Sequence, residues 1–413
     1  MKQILKTYKF RLYPNEKQKI LINKTFGCTR YIYNQMLFER KNVYENLKDN
    51  KEELKKYKYQ TEKEFKQELE WLKEVDSIAL QQSRIDLEMA YKNFFASQSG
   101  KRKGKKIGFP KFKSKKENRK TYRTTSTNNN IDIVFENKRL KLPKLKWVKY
   151  SDDRTFEGII KNVTVEKTPT GKYFACILVE EYIEVNIHQV NSNSKCIGLD
   201  YDSKNLFTTN ENKVGEYPRF YRMYEKKLAK QQRRLSRKQK GSNNRNKQRV
   251  KVAKVHEKIF NSRRDFHNKL STMLVQNYDV IGIETLNMQA MSQCLNLAKS
   301  TLDNSWGYFV NMLEYKCGWY GKHLVFADKW YASTKTCNHC GYKNAELTLA
   351  DREWDCPICH SHLNRDENAA INLMKYAQNT VGITEINASG DGVRLEEIQA
   401  VVCEGRSYKS KDL

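Results

Sequence analysis

Four cysteines are the residues of this chain whose spacing most clearly predicts chemistry. Cys337, Cys340, Cys356 and Cys359 follow the pattern C-x2-C-x15-C-x2-C, whereas the remaining cysteines are scattered and do not indicate a disulfide framework. In structural zinc ribbons, two such thiolate pairs on two tight knuckles complete a tetrahedral zinc site. The pattern therefore predicts one structural zinc ion with no coordination position open to water.

Three acidic residues form a second set. Asp200 ends the apolar run CIGLD, Glu284 ends VIGIE, and Asp366 lies where the cysteine region leads into a helix. A ribonuclease H-like sheet gathers carboxylates in this way around divalent metal, and two such ions can activate water and stabilise the leaving oxygen of a phosphodiester. Asp202 and Asp279 rank below these three, because an acid beside an apolar strand is often only a loop residue.

Length and charge limit the possible classes of protein. The chain has 413 residues, enough for two or three domains, and a formal net charge of +29, which favours nucleic acid as the partner. The start MKQILKTYKF has no signal-peptide core, and no run of about twenty apolar residues is present, so we predict a cytoplasmic protein with no membrane partner. No P-loop pattern occurs, which argues against nucleotide hydrolysis.

Local patterns predict the elements of the N-terminal half. KTYKFRLYP alternates apolar and charged residues, as a half-exposed strand does. We expect Asn15 to cap a helical region that extends to about Ser97, with breaks near Gly27 and at Asp76-Ser77. From Ile131 to about Val185, alternating segments predict antiparallel strands with a turn at Thr170-Gly171.

Basic segments are the candidates for binding nucleic acid. The lysine-rich stretch from Gly100 contains Phe109 and Phe112, and two basic helical segments flank KGSNNRNK. The stretch from Gly100 is equally compatible with a solvated loop and with a phosphate-contacting loop that has aromatic anchors. The charge of the two helical segments is better explained by a nucleic-acid backbone lying against them.

The motifs GLDYDS, RRDFHNKLSTMLVQNYDVIGIETLNMQAM, CNHCG followed by CPIC, and RDENAAINL occur in order along the chain. They resemble those of the TnpB (OrfB) family, the transposon-encoded relatives of compact type V CRISPR nucleases. The resemblance extends to KFRLYPNEKQKILINKTFGCTRYIYN, GFPKFKSKK and GITEINASGDGVR, and so covers nearly the whole chain. The chain departs from many relatives at three positions beside the acids, Leu199, Tyr201 and Thr285.

The resemblance implies a metal-dependent, RNA-guided DNA endonuclease of a transposon. Guide RNA would pair with double-stranded DNA while the protein reads a short target-adjacent motif. One two-metal RuvC site would use Asp200, Glu284 and Asp366 to hold catalytic Mg²⁺, the four cysteines would hold Zn²⁺, and Arg352 would point toward the scissile phosphate. The expected partners are guide RNA and double- and single-stranded DNA, bound by a monomer that is nucleoid-associated when on DNA.

We accordingly predict an α+β multidomain fold. A wedge-like β-barrel is expected from residues 1–15 and 118–192, with a helical recognition domain, 16–117, inserted in it. A RuvC (ribonuclease H-like) α/β nuclease domain is expected from residues 193–330 and 364–380. A zinc ribbon, 331–363, is inserted in that domain, and a flexible C-terminal tail covers residues 381–413.

Three other functions compete with this prediction. A nuclease-dead RNA-guided DNA-binding repressor would have the same fold and charge, but the intact acid trio argues for cleavage. A compact type V CRISPR effector differs in the origin of its guide RNA, which is encoded in the neighbouring DNA. A tyrosine transposase would need an activated tyrosine beside a metal-binding histidine pair, and the histidines show no clear pair.

Overall fold

The computed structural model describes residues 1–102, 104–116, 120–187, 189–294, 298–348 and 350–382. These residues divide into two units, Gln3–Tyr182 and the part from Ile183 onward. Both contain helices and strands, in agreement with the α+β class predicted above. Within the described ranges, no helix has the length and apolar character needed to cross a membrane. The tail predicted to be flexible lies, from residue 383, outside the described residues.

The first unit combines a seven-stranded sheet with four helices and a short 3₁₀ helix, Glu70–Glu74. Its helices are α1 (Glu16–Leu47), α2 (Lys51–Lys56), α3 (Glu62–Glu68) and α4 (Ser77–Gln98). Its strands are β1 (Lys2–Tyr13), β2 (Lys120–Thr125), β3 (Asp132–Val134), β4 (Arg139–Leu142), β5 (Lys146–Ser151), β6 (Ile159–Lys167) and β7 (Tyr173–Ile183).

The N-terminal strand lies in the middle of this sheet, whose order is β2-β6-β7-β1-β5-β4-β3. Tyr8, Phe10 and Leu12 of β1 are buried, because side chains two residues apart share one face of a strand. Strands β6 and β7 form the antiparallel hairpin predicted around Thr170-Gly171. Residues from both ends of this unit thus form one sheet.

The predicted helix break near Gly27 is wrong, because α1 runs without interruption from Glu16 to Leu47. Asn15 caps it as predicted, and its side chain accepts a hydrogen bond from the Gln18 amide. A glycine inside a helix costs only about 1 kcal/mol relative to alanine. The apolar side chains on both sides of Gly27 are buried, so their packing overrides the preference of glycine for a break.

The second unit contains a four-stranded sheet, a two-stranded hairpin and six helices among its described residues. Its strands are β8 (Cys196–Asp202), β9 (Leu206–Thr209), β10 (Val280–Glu284), β11 (His323–Ala327), β12 (Glu353–Asp355) and β13 (His362–Asn364). Its helices are α5 (Phe220–Ser236), α6 (Asn243–Asn277), α7 (Met288–Cys294), α8 (Ala298–Asn304), α9 (Trp306–Tyr320) and α10 (Arg365–Thr380).

The four-stranded sheet has the order β11-β10-β8-β9. Strands β11, β10 and β8 are parallel, while β9 pairs antiparallel to β8 at the edge. Successive residues of β8 and β10 are buried, which is typical of parallel strands covered on both faces. The carboxyl ends of the three parallel strands therefore meet at one edge of the sheet.

Helix α10 lies directly on the sheet because two strands carry a glycine at the crossing point. A Cβ atom built on Gly198 of β8 would collide with the Ala370 carbonyl oxygen and lie 2.7 Å from the Met374 nitrogen. A Cβ atom on Gly282 of β10 would collide with the Leu373 carbonyl oxygen. The two glycines, which are register partners, thus set how closely α10 can approach β8 and β10.

We expect Gly198→Ala to destabilise the second unit by at least about 2 kcal/mol, because the new methyl group meets helix backbone that cannot rotate away. Gly318→Ala in α9 is the matched control, since its Cβ would meet nothing within 4 Å. The control should leave stability unchanged or raise it by up to about 1 kcal/mol. Native-state hydrogen exchange of β8 and α10 measures both variants, and equal protection in the two would contradict the close packing of α10.

Candidate functional site

Two of the predicted acids lie side by side at the carboxyl edge of the four-stranded sheet. Ile283 of β10 is the register partner of Leu199 of β8, so the next residues, Glu284 and Asp200, occupy adjacent strand ends. Neighbouring strands are about 4.8 Å apart. Asp200 is only 6% exposed, and its carboxylate is thus held in a largely water-free position.

The third acid is brought to the same edge by α10. Asn364 caps this helix by accepting hydrogen bonds from the amides of Asp366 and Glu367, which fixes Asp366 in the first turn. Burial raises the pKa of Asp200 well above its usual range, and the negative charges of Glu284 and Asp366 raise it further. The three predicted acids are therefore close enough to repel one another.

Glu284 has a hydroxyl partner that the sequence analysis did not identify. The buried Ser333 donates a hydrogen bond from its Oγ to Glu284 Oε1. Burial raises the pKa of Glu284, and the hydrogen bond from Ser333 opposes that shift. Ser333 lies between β11 and the first cysteine pair, so this contact fixes the Glu284 side chain relative to the ribbon, by which we mean residues 331–363.

Two guanidinium groups contact Asp366. Arg352 donates from one terminal nitrogen to Asp366 Oδ2 at 2.9 Å, and Arg365 donates to Oδ1 at 3.0 and 3.1 Å. Arg365 is nearly buried, whereas the side chain of Arg352 is 62% exposed. The structure thus brings Arg352 to the acids as part of the same site, while its role toward a phosphate stays a prediction.

The two acids ranked lower lie in structural positions. Asp202 accepts hydrogen bonds from the amides of Lys204 and Asn205 and so closes the turn between β8 and β9. Asp279 lies at the amino end of β10, where it pairs with Lys322 at 2.6 Å and accepts from the Lys195 amide. Their carboxylates are therefore used to hold backbone segments.

The residues that depart from the family pattern have structural contacts of their own. Leu199 is fully buried in the core beneath the sheet. Tyr201 packs against Trp306 with ring centroids 5.2 Å apart. Thr285 donates a hydrogen bond to the Ala327 carbonyl at 2.7 Å, which ties the end of β10 to the end of β11. These positions support the site, and they leave the three acids in place.

The four cysteines form one compact cluster, with all ligand sulfurs within 4.8 Å of one another. The sulfurs of Cys337 and Cys359 are 3.6 Å apart, and those of Cys340 and Cys356 are 3.5 Å apart. Four thiolates at about 2.3 Å from a tetrahedral zinc ion lie at similar mutual distances. Hydrogen bonds from Ser361 lower the pKa of Cys359, whereas burial and hydrogen bonds with the other three cysteines raise the pKa of Cys340, so the four thiols interact as one group.

Two asparagines of α10 attach the ribbon to the helix that carries Asp366. Asn368 donates to the Thr336 carbonyl at 2.8 Å and accepts from the Asn338 amide at 2.9 Å. Asn372 donates to the carbonyls of Ser333 and Thr336 at 2.8 and 2.6 Å. The spacing of four residues places both asparagines on one helix face. This spacing was the available signal, and the sequence analysis missed it.

Aromatic residues anchor the lysine-rich loop, and lysines line the groove between the two basic helices. In the lysine-rich loop, Phe109 packs edge-on against Tyr91 and Phe94, so it anchors the loop to α4. Lys41 lies over the rings of Phe109 and Phe112, at 5.5 and 5.0 Å from their centroids. The predicted basic helices are α5 and α6, and the groove between them is lined by the lysines Lys227, Lys251, Lys254 and Lys258.

Three family models match separate parts of the chain. Residues 165–295 match the OrfB model described as "Probable transposase", and residues 306–373 match "Cas12f1-like, TNB domain". Residues 1–49 match a model described as "Helix-turn-helix domain". In this structure that last segment forms a strand and one continuous helix. The second match covers both the cysteine cluster and Asp366.

The chain belongs to the TnpB (OrfB) family, as the sequence motifs predicted. It is 34% identical to a "Putative RNA-guided DNA endonuclease" of Streptomyces pristinaespiralis, over 95% of this chain and 93% of that protein. It is 31% identical to the "Putative RNA-guided DNA endonuclease InsQ" of Escherichia coli K12, over 96% of this chain and 98% of the relative.

A solved structure shares the fold. The Cas12f1 protein in a complex with sgRNA and target DNA aligns with a TM-score of 0.56 over 90% of this chain and 99% of its own chain. The sequence identity in this alignment is 12%, so the similarity concerns the fold.

Proposed function

We propose that this protein is an RNA-guided DNA endonuclease that hydrolyses the phosphodiesters of double-stranded DNA. The observation that carries the proposal is the gathering of Asp200, Glu284 and Asp366 at one edge of the parallel strands. The names of the two relatives supply the substrate and the guide, since both are described as RNA-guided DNA endonucleases. A cluster of mutually repelling, partly buried acids is a typical arrangement for binding divalent cations.

We assign the second unit to a RuvC (ribonuclease H-like) nuclease domain with the ribbon inserted between β11 and α10. The first unit then supplies the wedge-like barrel and the helical recognition domain, with the limits given above. The order of the three parallel strands and the position of α10 support the first assignment. The central place of β1 in the seven-stranded sheet supports the second, because it joins the residues on both sides of the helical insertion.

The residues present fit Mg²⁺ at the acids and Zn²⁺ at the cysteines. Bound between the acids, Mg²⁺ would activate water and stabilise the leaving oxygen. Asp200 is poised to hold a cation because it is buried beside two further negative charges. Ser333 orients Glu284, and Arg365 orients Asp366. The side chain of Arg352 is mostly exposed, so it can contact a phosphate while it pairs with Asp366. The ribbon holds α10 in position through Asn368.

We propose that α5 and α6 hold the backbone of guide RNA or DNA in the groove between them. Lysines line both walls of that groove, and Lys258 lies 5.2 Å from the Tyr224 ring centroid. Lysine contacts to phosphates release counterions, so binding here would be independent of sequence. We further propose that the protein acts as a monomer, in the cytoplasm, and is associated with the nucleoid when it is bound to DNA. The DNA next to its gene would show whether the guide RNA comes from a transposon or from a CRISPR array.

Sequencing of copurified RNA, followed by guide exchange, tests the proposal. The protein is purified with its RNA, the bound RNA is sequenced, and its variable end is replaced by a new guide. We expect cleavage in Mg²⁺ to move to the DNA that matches the new guide and carries the adjacent motif. Cleavage that ignores the guide, or that needs no RNA, would contradict the proposed function.

A further inference from the structure

A short loop that follows β11 and enters the ribbon is held to Glu284 at both ends. Ala327, the last residue of β11, is the register partner of Glu284, and Ser333, six residues later, hydrogen-bonds the Glu284 side chain. We call residues 328–332 the edge loop. Its middle residue is Trp330, which is three residues from each contact.

The edge loop is held in shape by its own hydrogen bonds. The Trp330 amide donates to the Asp328 carboxylate at 2.8 Å, and the Tyr331 amide donates to the Asp328 carbonyl at 3.0 Å. Tyr331 packs against Tyr376 of α10 with ring centroids 4.8 Å apart. Three residues span at most about 11 Å, so Trp330 stays within the length of a few nucleotides of the acids.

Trp330 is unusually exposed for its type. Its relative exposure is 81%, whereas Trp306 and Trp354 of the same unit are buried, at 2% and 8%. The amine of Lys329 lies 4.8 Å from the Trp330 ring centroid. A large apolar ring that stays this exposed gains little stability from its position in the fold. An exposed indole with a cation over one face has its other face left for an unstacked base, and the cation is placed to meet a nearby phosphate.

We propose that Trp330 is a stacking platform for one base of single-stranded DNA next to the scissile phosphate, with Lys329 contacting the adjoining phosphate. The inference rests on the proposed function, because it takes the neighbouring acids as the place of cleavage. DNA must leave its duplex to enter such a site, and stacking on an indole replaces the base–base contacts that are lost. Stacking does not depend on base identity, so the subsite accepts every sequence.

A fluorescent base measures this stacking without cleavage. The guide-loaded protein carrying Asp200→Ala is mixed with single-stranded DNA in which 2-aminopurine is placed at successive positions. We expect quenching at one position, and we expect Trp330→Ala to abolish that quenching and to weaken binding about 5- to 100-fold. Trp330→Phe should restore most of both signals, whereas Trp330→Leu, which keeps the apolar surface but has no ring, should not.

Tyr320 provides the matched control. It is an exposed aromatic residue, at 53%, that precedes β11 and therefore lies at the opposite edge of the same sheet. Tyr320→Ala should leave quenching and binding unchanged. Unchanged quenching and affinity in Trp330→Ala would overturn the stacking platform, whether or not the protein cleaves DNA. Guide-directed cleavage by the unmodified protein tests the proposed function separately.

Discussion

Replacement of Asp200 by asparagine should lower the rate of guided DNA cleavage at least about a thousandfold, equivalent to about 4 kcal/mol of transition-state stabilisation. Asp200 is buried between the strand end that carries Glu284 and the helix turn that carries Asp366. Asparagine keeps the shape of the side chain but removes the charge that attracts Mg²⁺. Binding of guide RNA and target DNA should remain, because the basic helices and the loop are unchanged.

Single-turnover cleavage and a gel-shift titration separate these two effects. Asp202→Asn is the matched control, since it lies two residues away on the same strand, where its two carboxylate oxygens accept from two turn amides and asparagine keeps an oxygen for one of them. The control should cleave at nearly the original rate. If Asp200→Asn cleaves as well as Asp202→Asn, the acids are not the catalytic metal site. If it loses DNA binding as well, the substitution has disturbed the fold instead.

Cys356→Ser should remove zinc from the ribbon and, with it, the order of the helix that carries Asp366. Cys356 is fully buried, and its sulfur lies 3.5 Å from that of Cys340. Structural zinc sites contribute about 10–16 kcal/mol of binding free energy to the folding of small domains, so losing one thiolate removes several kcal/mol. Asn368 and Asn372 bind the backbone leading into the first knuckle, and unfolding of the ribbon would release both.

Zinc content by mass spectrometry, hydrogen exchange of α10 and guided cleavage are measured on the same preparation. Cys196→Ser is the control, because Cys196 is a partly buried cysteine outside the cluster. We expect loss of zinc, faster exchange and weaker cleavage together in Cys356→Ser, and none of them in the control. Zinc loss with unchanged exchange and cleavage would show that the ribbon does not support the site.

Local sequence patterns were sufficient to predict the structure where the type and spacing of a few residues determine it. The alternation in β1 predicted its buried face, and Asn15 predicted the start of α1. The spacing of the cysteines predicted the cluster, because two knuckles of fixed length bring their sulfurs together. Asp200 and Glu284, which end CIGLD and VIGIE, were predicted to lie at one site, and they meet because the parallel strands align their carboxyl ends.

Contacts between segments that are distant in sequence could not be predicted from local sequence patterns. The roles of Gly198 and Gly282 depend on a helix that follows about 170 and 80 residues later, and only packing shows that its backbone crosses them. Nothing in the sequence around Ser333 distinguishes it from other loop serines, and only the fold shows that it donates a hydrogen bond to Glu284. The error at Gly27 has the same origin, because local propensity was outweighed by burial of the surrounding side chains.

The two asparagines of α10 set a limit on how far this chain can be shortened. The ribbon, a small insertion between β11 and α10, would be an obvious part to delete. Here the carbonyls that Asn368 and Asn372 bind belong to Ser333 and Thr336, which precede the first knuckle. Trimming should therefore spare residues 333–338, the four clustered cysteines, two of which lie between β12 and β13, and Asn364, which caps α10.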